Sequence, residues 1–108
     1  MLAACADKKP LTPEEQWHGY CRSMGNAARS ILLDRQNGIE KVAAVEHADK
    51  ITDQFTREFI LKIINNVYDL SPDQIKTDPT ESRESLRQKV TDECIATPHD
   101  KLPDYKPF

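Results

Sequence analysis

Three cysteines and three histidines are the residues of this chain best suited to nucleophilic or metal chemistry: Cys5, Cys21 and Cys94, with His18, His47 and His99. Cys21 follows His18 by three residues, about one helical turn, a spacing at which an imidazole could take the thiol proton and create a nucleophile. The same stretch is an apolar helix face, because Trp17, Tyr20, Cys21 and Met24 recur at intervals of three and four. A cysteine on that face packs, and packing is the preferred reading. Metal binding would call for a Cys-x-x-Cys pair or clustered histidines, and the chain has neither. His18, one turn from Glu14, Glu15 and Arg22, and His47, beside Glu46, read as solvated side chains. Glu81, Glu84 and Glu93 read as one solvated helix face, not a carboxylate pair for acid–base work. No glycine-rich phosphate loop and no nucleophile elbow is present. The expectation is a protein without catalytic residues, metal or cofactor.

The cysteines point elsewhere. Cys21 and Cys94 form an even pair outside the N-terminal segment, which suggests one disulfide and an oxidising compartment. Closing so long a loop contributes roughly 4 kcal/mol on a chain-entropy account. Two buried free thiols or a metal site are the alternatives. Cys5 stands in Leu2-Ala3-Ala4-Cys5, which resembles a bacterial lipobox, where cleavage precedes a cysteine that then carries lipid. A signal peptide has an apolar h-region and a charged n-region upstream; here Met1 alone precedes Leu2. Ala6-Asp7-Lys8-Lys9-Pro10 is polar and proline-ended, like a tether. The plainer reading is a tail with one free cysteine.

Arg35 falls in line with Trp17, Met24 and Ile31, inside an apolar stripe. A guanidinium cannot be buried unpaired. Either it bonds loop carbonyls or a carboxylate such as Glu58 or Asp69 and locks a helix end, or it captures an anionic ligand group. The locking role is preferred. Gln36 and Gly38 share this joint. Leu33 falls on the polar face, among Arg22, Asn26 and Arg29, where it is either an unremarkable exposed leucine or a contact edge.

These residues must be placed by helices. Thr12-Pro13-Glu14-Glu15 is a start signal: a capping threonine, proline at the first helical position and a glutamate that closes a capping box. The first helix should run to Gly38, with Ile39 placed for the apolar contact of a glycine C-cap. A short helix over 40–48 should bury Val42, Val45 or both. A third, over 52–68, carries Phe55, Phe59, Ile60, Ile63, Ile64, Val67 and Tyr68 around more than half its circumference. So wide an arc implies a central helix, or one that meets another chain through Phe55, Ile60 and Ile64. Ser71-Pro72 and Asp78-Pro79 mark a loop anchored by Ile75. The last helix, over 79–96, shows a narrow stripe of Leu86, Val90 and Cys94, with Ile95 to one side. The fold class is therefore all-α: a small four-helix domain over 12–96, one helix short, with Cys21 and Cys94 on the buried faces of the first and last helices. Residues 1–11 form the lipobox-like start and tether. Residues 97–108, with three prolines, form an extended tail in which Tyr105 and Phe108 are either docked or loose.

Length and charge set the outer bounds. The chain has 108 residues, a net charge of −3 and 31% charged residues, which fits one small, mildly acidic domain. That balance argues against a nucleic-acid binder, which needs a basic face for phosphates. No apolar run approaches the length of a membrane span.

Ala28-Arg29-Ser30-Ile31-Leu32-Leu33-Asp34-Arg35-Gln36-Asn37-Gly38-Ile39 resembles a pattern in an uncharacterised family of small exported bacterial and prophage-encoded proteins. In those proteins a cysteine begins a helix that ends in Arg-Gln-x-Gly and an aliphatic residue. Ile64-Asn65-Asn66-Val67-Tyr68 and Glu93-Cys94 match their later motifs, so the resemblance covers about 17–95. It departs at Glu40, where proline is common, and at the inserted Leu70-Ser71. The resemblance implies an exported helical domain with a first-to-last-helix disulfide, and no activity.

The reading that unites these features is a small envelope protein of a Gram-negative bacterium. It would be periplasmic, held to the membrane only by lipid on Cys5, and act as a protein-binding module: an inhibitor, immunity factor or accessory subunit. Its partner would be another envelope protein or a second copy. The alternative is a periplasmic acid-stress chaperone, since those are also helical, with one disulfide and a tryptophan shortly before the first cysteine, here Trp17 and Cys21.

Overall fold

Residues 11–97 are described by the computed structural model of the chain, and every regular element among them is an α-helix. The lipobox-like segment with Cys5, His99, and Tyr105 and Phe108 of the tail lie outside the described residues. In chain order the helices are α1 (Pro13–Gln36), α2 (Lys41–Ala48), α3 (Gln54–Tyr68), α4 (Pro72–Lys76) and α5 (Pro79–Ala96).

Local chemistry sets the helix ends. At the start of α1 the Thr12 N–H donates to Glu15 Oε1 at 2.9 Å, and the Glu15 N–H donates to Thr12 Oγ1 at 3.1 Å. This capping box satisfies donors that the first turn leaves unpaired. At the other end Gly38 takes φ +88°, a left-handed conformation that costs glycine little. The Gly38 N–H then donates to the Arg35 carbonyl at 3.0 Å and the Ile39 N–H to the Asp34 carbonyl at 2.9 Å, closing a Schellman motif. Asp53 caps α3 by accepting the Thr56 N–H at 2.8 Å. The loop expected after Ser71 instead holds the one-turn helix α4, because Ser71 and Gln74 form a second capping box over Pro72.

Helix α1 is the centre of the domain. Trp17, Tyr20, Cys21, Met24, Ala27, Ala28 and Leu32 are all buried on it. Its longest interface is with α5, and α3 packs on its other side. Cys21 and Cys94 are joined near the N-terminal end of α1, with a Cα–Cα distance of 5.4 Å. Gln36 reaches Pro79 at the other end, so α5 runs antiparallel to α1. The Tyr20 and Thr56 hydroxyls meet at 2.8 Å near the start of α1 and α3, and Arg35 meets Val67 near their ends, so those two helices run parallel.

Three expectations are corrected. The wide apolar arc of α3 does not make it the central helix; that place belongs to α1, while α3 carries α2 on its outer side. Ile60 and Ile64 are buried in the core rather than standing free on the outer face of α3. Val42 is 59% exposed, and the buried residue of α2 is Ala48, with Val45 partly covered. A short helix lying on one neighbour can bury only a single narrow face.

Candidate functional site

The helices meet unevenly, and the mismatch leaves grooves between them. Helix α2 packs chiefly on α3. The resulting groove has α1 as one wall, α2 as the other and α3 as its floor. Ala27 and Ile31 line it from α1, Ala44 and Ala48 from α2, and Ile60 and Ile64 from α3, around a volume of about 510 Å³. Ile39 and Ile51 close its ends. Small alanines on two walls keep it open where larger side chains would fill it. Its rim is charged on both sides: Asp34 belongs to the α1 wall, and His47 and Lys50 to the α2 side.

Another groove runs between α3 and α5, each of which packs chiefly on α1. Phe55, Phe59 and Ile63 line it from α3, and Val90, Cys94 and Thr97 from α5, around about 670 Å³. Phe55 is 45% exposed there. Its ring stands 6.2 Å from those of both Tyr20 and Phe59, and Tyr20 stacks on Trp17 at 5.4 Å. The aromatic cluster thus runs from the buried core to the surface of this groove.

Arg35 bonds a backbone carbonyl in the last turn of α3. Its Nη1 donates to the Val67 carbonyl at the end of α3, and its guanidinium lies 5.6 Å from the centroid of the Tyr68 ring. The Val67 carbonyl also accepts the Leu70 N–H at 3.2 Å, so Arg35 adds a second, charged donor to it, together with a cation–π contact. The Tyr68 hydroxyl donates to the Ile39 carbonyl at 2.7 Å, fixing the α1–α2 connection to α3. Burial holds the Tyr68 hydroxyl above its ordinary pKa; Asp34 adds to the shift and Arg35 opposes it.

Gln36 points the other way. Its side-chain amide donates to the carbonyls of Ile75 and Pro79, each at 3.2 Å, and its oxygen accepts from Arg83 at 2.6 Å. It pins α4 and the start of α5 to the end of α1, a link that sequence reasoning missed. Gly38 shapes the turn. Leu33 is 38% exposed and stands apart from the lining of both grooves.

Among the described residues no three His, Cys, Asp or Glu side chains gather in a way that could hold a metal ion. His18 pairs with Glu14 at 3.3 Å on the surface. Glu84 bridges Arg29 of α1 at 3.1 Å and Arg87 of its own helix at 2.9 Å. Cys21 is bound to Cys94 and so offers no thiolate. No described helix is long and apolar enough to cross a membrane. No family model, curated protein or solved structure matches the chain.

Proposed function

We propose that this protein is a cell-envelope binding module that takes an amphipathic helix of another envelope protein into the groove between α1 and α2. The observation that carries this reading is the groove itself. It is an open apolar trough with an isoleucine floor, alanine-lined walls and opposite charges along its two edges. Helix-in-groove recognition needs such a trough, with apolar anchors at intervals of three and four and polar groups matched to the rim. The matching helix carries a basic residue on the edge facing Asp34 and an acidic residue on the edge facing Lys50.

Placement in the periplasm, anchored by lipid on Cys5, belongs to the same proposal. The disulfide, the lipobox-like Leu2-Ala3-Ala4-Cys5 and the resemblance to exported bacterial proteins support it. Metabolic labelling with a fatty acid, lost in Cys5→Ser, is the expected result; equal labelling of the variant overturns the anchor.

The binding reading is tested with a photo-crosslinking residue placed at Ala43, on the groove wall, or at Leu33, outside it, in native envelopes. The expected result is one adduct from position 43, mapped to an amphipathic helix, and none from position 33. Ala44→Arg should abolish that adduct while leaving the melting temperature within a few degrees. Equal adducts from both positions overturn the groove as the site. Many adducts that multiply as pH falls overturn it in favour of the acid-stress chaperone.

A further inference from the structure

We propose that the α3–α5 groove pairs with the same groove of a second copy of this chain. In this two-fold dimer each α3 enters the other copy's groove, and Lys62 of one copy sits between Glu58 and Glu93 of the other.

The first argument is the pattern of α3. Ile60, Ile63, Ile64 and Val67 are buried in the core. Phe55, Phe59, Lys62 and Asn66 line the groove. Their spacings are four, three and four, the seam with which one helix packs along another. Phe55 is 45% exposed, and its ring stands 6.2 Å from that of the partly buried Phe59. An exposed apolar patch rimmed by charge marks an interaction site.

The second argument is charge. Glu58 and Lys62 stand on the α3 wall and Glu93 on the α5 wall. Cys94 is bonded to Cys21, and Tyr20, the neighbour of Cys21, meets Thr56. Glu93 therefore lies across the groove at about the level of Glu58. Each groove thus presents two carboxylates at one level and an ammonium one turn further along α3. Among the described residues none of the ion pairs involves Glu58, Lys62 or Glu93.

The third argument is symmetry. A two-fold axis sets one α3 antiparallel to the other and makes every contact twice. With the axis at the level between Ile60 and Leu61, Phe59 stands opposite Lys62 of the second copy, and Phe55 stands opposite its Asn66. Lys62 of the second copy is then about 1.5 Å from Glu58 along the helix direction. Its alkyl stem covers the Phe59 ring, and its ammonium meets both carboxylates. A groove of one charge sign would repel its own copy; this one is complementary to itself. The dimer uses a different face from the α1–α2 groove, so the inference stands independently of the proposed partner.

The test is sedimentation equilibrium on the full chain with its disulfide intact. The parent for this series carries Cys5→Ser, which removes any dimer linked through that thiol. It is expected to dimerise. Lys62→Glu and Glu58→Lys should each raise the dissociation constant at least about tenfold, because each sets like charges opposite one another twice. The two variants mixed should form a one-to-one heterodimer, since each supplies the charge that the other lacks. Leu33→Glu, outside the groove, should leave the dimer unchanged. A parent that is still monomeric at about 1 mM overturns the proposal. So does a dimer that Lys62→Glu leaves intact, or a mixture of the two variants that stays monomeric.

Discussion

Gly25 of α1 and Thr91 of α5 approach so closely that a methyl group on Gly25 would stand 2.0 Å from the Thr91 hydroxyl oxygen and 2.7 Å from the Arg87 carbonyl. The Thr91 hydroxyl donates to that carbonyl at 2.8 Å, so it cannot swing aside without losing its partner. The two helices are thus held at a separation that only a glycine allows, four residues from the disulfide that joins them. Alanine favours a helix interior over glycine by about 1 kcal/mol. Gly25→Ala is nevertheless expected to destabilise the domain, because forcing a methyl into a full interface costs about 1–3 kcal/mol. Thr91→Ala should restore part of the loss. Urea denaturation of the single and double variants checks this; a Gly25→Ala protein as stable as the parent refutes the close-contact account.

Arg35→Met is expected to cost about 1.5–3 kcal/mol, the range for a hydrogen bond made by a charged group. The loss should localise to the end of α3, where the Val67 carbonyl loses its charged donor and keeps only the Leu70 N–H. Hydrogen exchange at Val67 to Leu70 should accelerate before the rest of the domain. Arg35→Lys should retain part of the stability, since an ammonium replaces the charge but not the planar fork. A melting temperature within a degree of the parent would remove the locking role.

Thiol counting distinguishes the disulfide from two buried free thiols. In denaturant without reductant, neither Cys21 nor Cys94 should react, and after reduction both should. Replacing Cys21 and Cys94 by alanine together should lower stability by about 4 kcal/mol on the chain-entropy account.

The capping box carries a pH dependence. Glu15 accepts hydrogen bonds from the backbone and then the side chain of Thr12, and these hold its carboxyl below the ordinary glutamate pKa. A depressed folded-state pKa means that this stabilisation is present above the unfolded value and is lost as pH falls through the folded one. The difference in melting temperature between the parent and Glu15→Ala should therefore be constant near neutral pH and shrink on acidification below about pH 4.3. A difference that stays constant or grows there contradicts the assignment.

Helix ends were legible because they are decided within a few residues. Thr12 with Glu15, Gly38 and Pro79 each act on neighbouring backbone groups, and the structure places α1 and α5 between them. The same signal stands in Ser71-Pro72-Asp73-Gln74, yet the short distance to Pro79 made it look like a loop. The Arg35 lock was visible as a charge in an apolar stripe. The Gln36 link was not, because an amide at a helix end is ordinary in sequence and its carbonyl partners lie 39 and 43 residues away.

By itself, then, the sequence determined an all-α chain with four main helices, their caps, and two cysteines on apolar faces. Periodicity states how much surface each helix must bury. It does not state against what. The tertiary structure alone decided that α1 is central, that Ile60 and Ile64 belong to the core and groove floor, and that grooves remain between the helices. The physical reason is that each of these outcomes depends on the separation of helices distant in the chain. That separation is set by contacts such as Gly25 on Thr91, where the decisive feature is a side chain that is missing.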